Sequence, residues 1–237
     1  PATSVSSDQQ TVTLADGTEL GWDRLLLATG SVVRRLDVPG ADLPGVHYLR
    51  TMDDSLALLE QLRSGGDVVV VGAGWIGLEV AASARQHGCR VTVVEPASAP
   101  LLGVMGERIG GWFGDFHTAH GVEFRLGTGV SGFAGTDRVT GVTTDDGVTI
   151  PARTVVIGVG ILPNTALAET AGVAIDNGVV TDAALRTSVR GIWAAGDVAS
   201  WDSRLVGRLR AGSRQRLRGQ RLQPGRHRSH QRGSPMS

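Results

Sequence analysis

The sequence predicts an α/β fold in which one parallel-sheet unit carrying a β-meander is inserted into a second, incomplete unit of the same type. Three observations carry that expectation. Residues 68–71 are four consecutive valines, the pattern of a strand buried on both faces. They pass directly into glycines at 72, 74 and 77, then into a stretch rich in small residues, then into a second apolar run at 91–94. Finally, an Asp-Gly hairpin, an apolar strand and a glycine break follow one another twice, over residues 14–30 and 144–160, as two related units would.

Gly72, Gly74 and Gly77 have G-x-G-x-x-G spacing, with Ala73, Trp75 and Ile76 between them. Gly72 permits a tight turn, Gly74 lets backbone N–H groups approach a pyrophosphate, and Gly77 lets helix and strand pack closely. The helix start offers unpaired amides and a positive dipole end. Glu95 closes the second strand 23 positions after the first glycine, where a carboxylate can accept from an adenosine ribose 2′-OH. Strand, loop, helix and acid together predict a Rossmann-like dinucleotide site. A carboxylate at Glu95 repels a 2′-phosphate, so NADH is expected over NADPH. FAD makes the same demands on such a loop, so the motif alone leaves flavin and nicotinamide open. Ile76, Val80 and Ala84 are expected to share one face of the helix.

The chain has 237 residues and 41% hydrophobic content, enough for one large domain or two modest ones. No apolar run reaches 18 residues, so no transmembrane helix is expected. Residues 1–4 show no signal-peptide pattern, which suggests a cytoplasmic protein read from its middle. The single cysteine, Cys89, excludes a disulfide framework or Cys-x-x-Cys pair within this chain and is expected to be a small core residue. The formal net charge of zero hides an asymmetry. There is no lysine; residues 1–200 carry 13 Arg against 22 acids, and residues 201–237 carry 10 Arg against 1 acid.

Taken in order, residues 11–14 read as a strand, 15–17 as a hairpin turn and 18–21 as the return. Residues 25–28 are a fully apolar strand, broken by Thr29, Gly30 and Ser31. The Pro- and Gly-containing stretch 38–45 reads as a connection between domains. Asp53, Asp54 and Ser55 are expected to cap a short helix carrying Leu56, Leu59 and Leu62, which Gly65 and Gly66 end. A helix is expected over 104–120. His117 and His120 lie three apart on it, a spacing that can bind metal; with no third ligand nearby, a solvated helix end is expected and no metal site. Residues 122–124 form a strand, 130–144 and 148–150 a meander turning at Asp145, Asp146 and Gly147, and 154–158 a buried strand. Residues 191–197 read as an apolar strand ending in a small turn with Asp197. The carboxyl end of a parallel strand is where such sheets place ligand contacts; a plain turn aspartate is the alternative.

Four segments then point the same way: Ala28, Thr29 and Gly30; residues 72–95 with Glu79; residues 160–164; and residues 195–198 with Gly196 and Asp197. Over residues 10–201 the chain resembles the FAD-dependent pyridine nucleotide-disulfide oxidoreductases, the two-dinucleotide-binding flavoproteins of the glutathione reductase type. Within them it is most similar to the ferredoxin reductases of oxygenase systems. The resemblance implies that Gly72, Ala73, Gly74, Trp75, Ile76, Gly77 and Glu95 hold NADH. It assigns Arg34, with Arg35 as a competitor, and Asp197, on the ribityl chain, to FAD, and counts Ala28, Thr29, Gly30, Gly160 and Gly196 among the cofactor-binding residues. Glu79 would sit near the nicotinamide and flavin rings. The implied activity passes hydride from NADH to FAD and then single electrons to a ferredoxin-type iron–sulfur partner. The flavin supplies the chemistry, so no catalytic side chain is nominated.

On this resemblance residues 1–49 are the C-terminal part of a first FAD-domain segment, 50–165 the NAD(H)-binding domain and 166–203 a second FAD-domain segment. The flavin fingerprint would lie upstream of Pro1, and the fragment is expected to be inactive alone, to bind NADH weakly and to lack flavin. The Arg-rich tail, 204–237, is expected to be disordered or out of frame. Nucleic-acid binding is the ordinary reading of an arginine run; translation in a neighbouring frame of GC-rich codons, which yields Arg, Gly, Ser and Pro, is preferred. Two further readings stay open. One is an NADH oxidase or coenzyme A disulfide reductase, whose cysteine would lie upstream; the other is a non-catalytic NAD-binding protein with a nucleic-acid-binding tail.

Overall fold

A computed structural model of the chain describes residues 1–201. The tail at 204–237, with the nucleic-acid and out-of-frame readings attached to it, lies outside the described residues. The chain enters through an antiparallel meander, β1 (Ala2–Ser6), β2 (Thr11–Leu14) and β3 (Glu19–Gly21), followed by β4 (Leu25–Leu27) and β5 (Ser31–Val33). Then come β6 (Val46–Tyr48), α1 (Met52–Arg63), β7 (Asp67–Val71), α2 (Trp75–Gln86), β8 (Arg90–Glu95), α3 (Leu102–Ala119) and β9 (Val122–Leu126). A second meander, β10 (Val130–Gly135), β11 (Val139–Thr144) and β12 (Thr149–Pro151), leads to β13 (Thr154–Ile157) and β14 (Ile161–Pro163). The described chain ends with α4 (Ala166–Thr170), β15 (Val179–Thr181), β16 (Ile192–Ala194), a 3₁₀ turn (Gly196–Val198) and β17 (Ala199–Trp201).

The valine run lies at the centre of a five-stranded parallel sheet ordered β6-β13-β7-β8-β9. Successive strand residues point to opposite faces, so the run divides between two cores. Val68 and Val70 join Val91, Val93 and Val156 beneath α1, α2 and α3, with Leu58, Leu78 and Ala84 from the helices. Val69 and Val71 join Val94, Val155 and Ile157 beneath the second meander, which contributes Phe133, Val139 and Val142. The unit therefore has three layers. Cys89 is fully buried in the helical layer, as expected, and its Sγ donates to the Leu62 carbonyl at 3.3 Å.

Several local expectations change. The cap of α1 is Thr51, whose side chain accepts from the Asp54 N–H while Asp54 accepts from the Thr51 N–H. That capping box starts the helix early and sets its register. Leu58 and Leu62 are buried, Leu59 partly, and Leu56 is 57% exposed. On α2, Val80 and Ala84 are buried but Ile76 is exposed in the first turn. His117 is buried edge-on to Phe124 and is not part of a solvated helix end. The 38–45 stretch is packed rather than free, because the second meander needs partners for its backbone donors. Phe133 N–H donates to the Pro39 carbonyl and Val139 N–H to the Pro44 carbonyl.

A smaller unit joins the two ends of the described chain. β16 pairs in parallel with β4, and β15 with β17. Val5, Leu27, Ala168, Val179 and Ile192 share one core. The five-stranded unit is thus inserted between the segments that build this one. β4 is less buried than its apolar sequence suggests: Leu27 is buried, but Leu26 is 58% exposed. The two units are tied by β5 and β14, which pair antiparallel with Leu162 opposite Val32. Each follows the glycine break of its own unit, Gly30 or Gly160. No described helix is long and apolar enough to cross a membrane.

Val70 is fully buried at the sheet centre, so Val70→Ala is expected to lower unfolding free energy by about 2 kcal/mol in urea titrations, against less than about 0.5 for Leu56→Ala. Burial, with Arg138 adding to it, holds His47 below its ordinary 6.5, and its Nε2 is buried without a partner among the described residues. Burial, then His120, lowers His117 likewise. The unfolded chain therefore takes up protons first as pH falls through 6.5, and this contribution to stability is present above that value and lost below it. The urea midpoint should fall between pH 7 and pH 5, with a shallower slope in His47→Gln/His117→Gln.

Candidate functional site

The loop between β7 and α2 is built by contacts too close for side chains. Gly72 has φ +100°, and a Cβ there would lie 2.5 Å from the Gly158 carbonyl oxygen. A Cβ on Gly77 would lie 2.0 Å from the Gly72 carbonyl oxygen. Gly74, the N-cap of α2, has open space on the side where a Cβ would stand. No side chain caps α2, and no acid sits in its first turn. Its orphan amides and dipole end are therefore left for an external anion, and the open side of Gly74 gives it room. The residues present fit a diphosphate. A second G-x-G-x-x-G spacing, Gly127, Gly129 and Gly132, leads from β9 into an antiparallel strand; with no helix behind it, it offers no such anion site.

Glu95 completes the loop. Its Oε2 accepts from the Ala73 N–H at 2.7 Å and its Oε1 from the Ala97 N–H at 2.9 Å. The carboxylate is fixed in place, yet each oxygen keeps a further acceptor position. The loop and Glu95 open on a cleft of about 540 Å³, walled by apolar Val33, Leu49, Trp75, Ile157 and Ile161. It lies at the carboxyl ends of β7, β8 and β13, where the strand order reverses direction, the position at which open α/β sheets bind ligands. Trp75 meets Phe113 of α3 edge-to-face at 5.7 Å.

A second cluster adjoins the cleft through β5 and β14. The Thr29 hydroxyl donates to the Asn164 carbonyl at 2.6 Å, and Asn164 N–H donates to the Gly30 carbonyl at 2.9 Å. Gly196 (φ +76°) turns the chain so that Asp197 follows β16. Asp197 Oδ2 accepts from the Ser31 hydroxyl at 2.8 Å and from both terminal nitrogens of Arg50 at 3.3 Å. Its Oδ1 has no hydrogen-bond partner among the described residues. Arg50 is held in turn by its N–H, which donates to Asp54 Oδ2 at 3.1 Å. Donors from Thr51, backbone first, and from Arg50 keep the Asp54 carboxyl below its usual 3.8.

Arg50 and Ser31 are the site residues that sequence reasoning missed. The available signal for Arg50 was its place directly before the capping box. Arg34 is exposed, and its N–H donates to the Gly160 carbonyl at 3.0 Å. Arg35 instead lies over the Tyr48 ring at 4.8 Å, which leaves Arg34 as the arginine beside Gly160. Ala28 follows β4 at the surface. Glu79 is exposed on α2 and does not line the cleft. A larger hollow of about 620 Å³ opens at the opposite end of the sheet. Two of its arginines are already engaged: Arg85 donates to the Cys89 and His120 carbonyls, and Arg90 pairs with Asp67. Among the described residues no group of three or more His, Cys, Asp or Glu could hold a metal.

Comparison with known proteins follows the same outline. The sequence profile described as pyridine nucleotide-disulphide oxidoreductase matches residues 1–220. Rhodocoxin reductase of Rhodococcus erythropolis is 46% identical over 202 residues, 85% of this chain and 47% of that protein. The ferredoxin–NAD(+) reductase subunit of the benzene 1,2-dioxygenase system of Pseudomonas putida is 41% identical over 199 residues, 84% of this chain and 48% of that protein. Among solved structures, the covalent putidaredoxin reductase–putidaredoxin complex matches with a TM-score of 0.81 and 38% identity, over 86% of this chain and 51% of the matched one. The chain thus spans about half the length of the relatives it matches.

Because Gly77 packs backbone to backbone on Gly72, Gly77→Ala is expected to push α2 off β7 and lower stability by roughly 2–4 kcal/mol. Gly88→Ala meets no neighbour within 4 Å, although its φ of +79° disfavours a side chain, and should cost about 1 kcal/mol. Thermal unfolding followed by circular dichroism distinguishes the two.

Proposed function

Because this chain belongs to the pyridine nucleotide-disulphide oxidoreductase family, we propose that it is the NADH-binding half of a ferredoxin reductase of the oxygenase-system type. The longer protein would be a cytoplasmic FAD flavoprotein that takes hydride from NADH and passes single electrons to a ferredoxin-type iron–sulfur protein. The observation that carries this reading is the placement of two chemically different clusters side by side along β5 and β14. One is an uncapped helix start with a fixed carboxylate; the other is an aspartate held by a serine and an arginine. Residues 50–165 would form the NAD(H) domain, and 1–49 and 166–203 the two FAD-domain segments.

When bound, the nicotinamide and isoalloxazine rings supply the redox chemistry; the chain binds and orients them. The amides at the start of α2 hold the diphosphate of NADH, with Gly74 giving it room. Glu95, already oriented by Ala73 and Ala97, accepts from an adenosine ribose hydroxyl and opposes a 2′-phosphate at the same place. Val33, Leu49 and Ile157 keep water from the ring end of the cleft. On the flavin side, Ser31 and Arg50 hold Asp197 Oδ2, which leaves Oδ1 to accept from a ribityl hydroxyl. Thr29, Gly30, Gly160 and Arg34 border that position.

Calorimetric titration of the chain with NADH and NADPH tests the reading. NADH is expected to bind at least about tenfold more tightly. Glu95→Gln removes the charge while keeping an acceptor, and should bring the two affinities to within about threefold of each other. Equal affinities in the unmodified chain, or a preference untouched by Glu95→Gln, would contradict the assignment of Glu95.

A further inference from the structure

The face of α3 turned away from the sheet has no role in either cluster. Beyond a break at Gly106 (φ 75°, ψ 171°), α3 continues to Ala119. Gly110 and His117 form its buried side, with Gly110 so close that a Cβ would lie 2.1 Å from the Pro100 carbonyl oxygen. Next to that side, Ile109, Trp112 and Phe116 remain 46%, 59% and 48% exposed. Their three- and four-residue spacing makes a continuous stripe, extended by exposed Val104 and Met105 from the turn before the break. The stripe is ordered. Trp112 and Phe116 stack at 5.5 Å with 20° between planes, and Phe116 lies 4.5 Å from the His120 ring. An exposed cluster of two large rings with adjoining aliphatic chains is more than a scattering of single apolar residues.

The charges beside the stripe identify what covers it. Arg108 and Asp115 are both exposed on its outer border, seven positions apart and hence on one side of the helix. Neither is in an ion pair among the described residues. When two copies of such a helix pack antiparallel, residues on the same flank face each other. A two-fold axis passing between Gly111 and Trp112 sets Arg108 of one copy level with Asp115 of the other and lays Ile109 of one copy between Trp112 and Phe116 of the other. The two-fold axis makes each contact twice, so the surface is complementary to itself.

We propose that α3 is a self-association surface: two copies of this chain pack antiparallel through Ile109, Trp112 and Phe116, flanked by two Arg108–Asp115 ion pairs. Phe113 links the stripe to Trp75, through ring contacts of 5.1 and 5.7 Å. The contact would therefore form beside the cleft without using its residues.

Sedimentation velocity on the full chain, up to about 200 µM, tests this. The expected result is a concentration-dependent dimer. Trp112→Glu should raise its dissociation constant at least about a hundredfold. Arg108→Asp should weaken it at least about tenfold, and the double exchange Arg108→Asp/Asp115→Arg should return it to within about threefold of the original. All these positions are exposed, so circular dichroism should show each variant folded. A monomer throughout the range overturns the proposal and leaves the face to another occupant, such as the remainder of a longer protein. A dimer indifferent to Trp112→Glu, or one the double exchange fails to restore, overturns it equally.

Discussion

The backbone contact between β7 and α2 is the constraint on which the rest of the site depends. A Cβ at Gly77 would stand 2.0 Å from the Gly72 carbonyl oxygen, and one at Gly72 would stand 2.5 Å from the Gly158 carbonyl oxygen. Three segments thus converge with no side chain between them. This brings the amino end of α2 to the carboxyl ends of β7 and β13. It also brings the Ala73 N–H to 2.7 Å from Glu95. The contact is sustained by burial on both faces of the valine run, which anchors β7 in two cores at once. A strand buried on one face only would leave the loop on a less supported edge.

The second unit is attached to this frame by pairing. β5 and β14 each follow the glycine break of their own unit, and they pair antiparallel. Like segments from two like units are thereby set head to tail. The Thr29–Asn164 and Gly30–Asn164 hydrogen bonds reinforce that seam. Asp197 reaches it from β16, and Arg50 reaches it from the cap of α1. The parts proposed to hold two cofactors therefore share a border that neither unit could make alone.

Much of the central unit was legible in the sequence because its determinants are local. The valine run, the glycine spacing and the acid at Glu95 all lie within 29 consecutive residues (67–95). The meander turn was legible for a similar reason: Gly147 takes φ +81°, a conformation glycine adopts readily. Short strands such as β5, β6 and β14 were missed. Three residues show no period, and the pairing partners lie more than 100 positions away. Arg50 was missed because its partner Asp197 is 147 positions distant. His117 reads as a polar helix residue until Phe124 packs on it. Glu79, matched to a site motif by spacing, is exposed on α2 beside the helix start that the glycine loop presents.

The most direct test of the central claim is amide chemical-shift mapping of the isotopically labelled chain during titration with NADH. The account predicts that the largest shifts fall on residues 72–77 and on Glu95 and Ala97, with smaller ones at Gly158 and Gly160. Shifts centred on Arg85, Arg90 and Arg125 at the opposite end of the sheet would contradict it, as would a spectrum that does not respond.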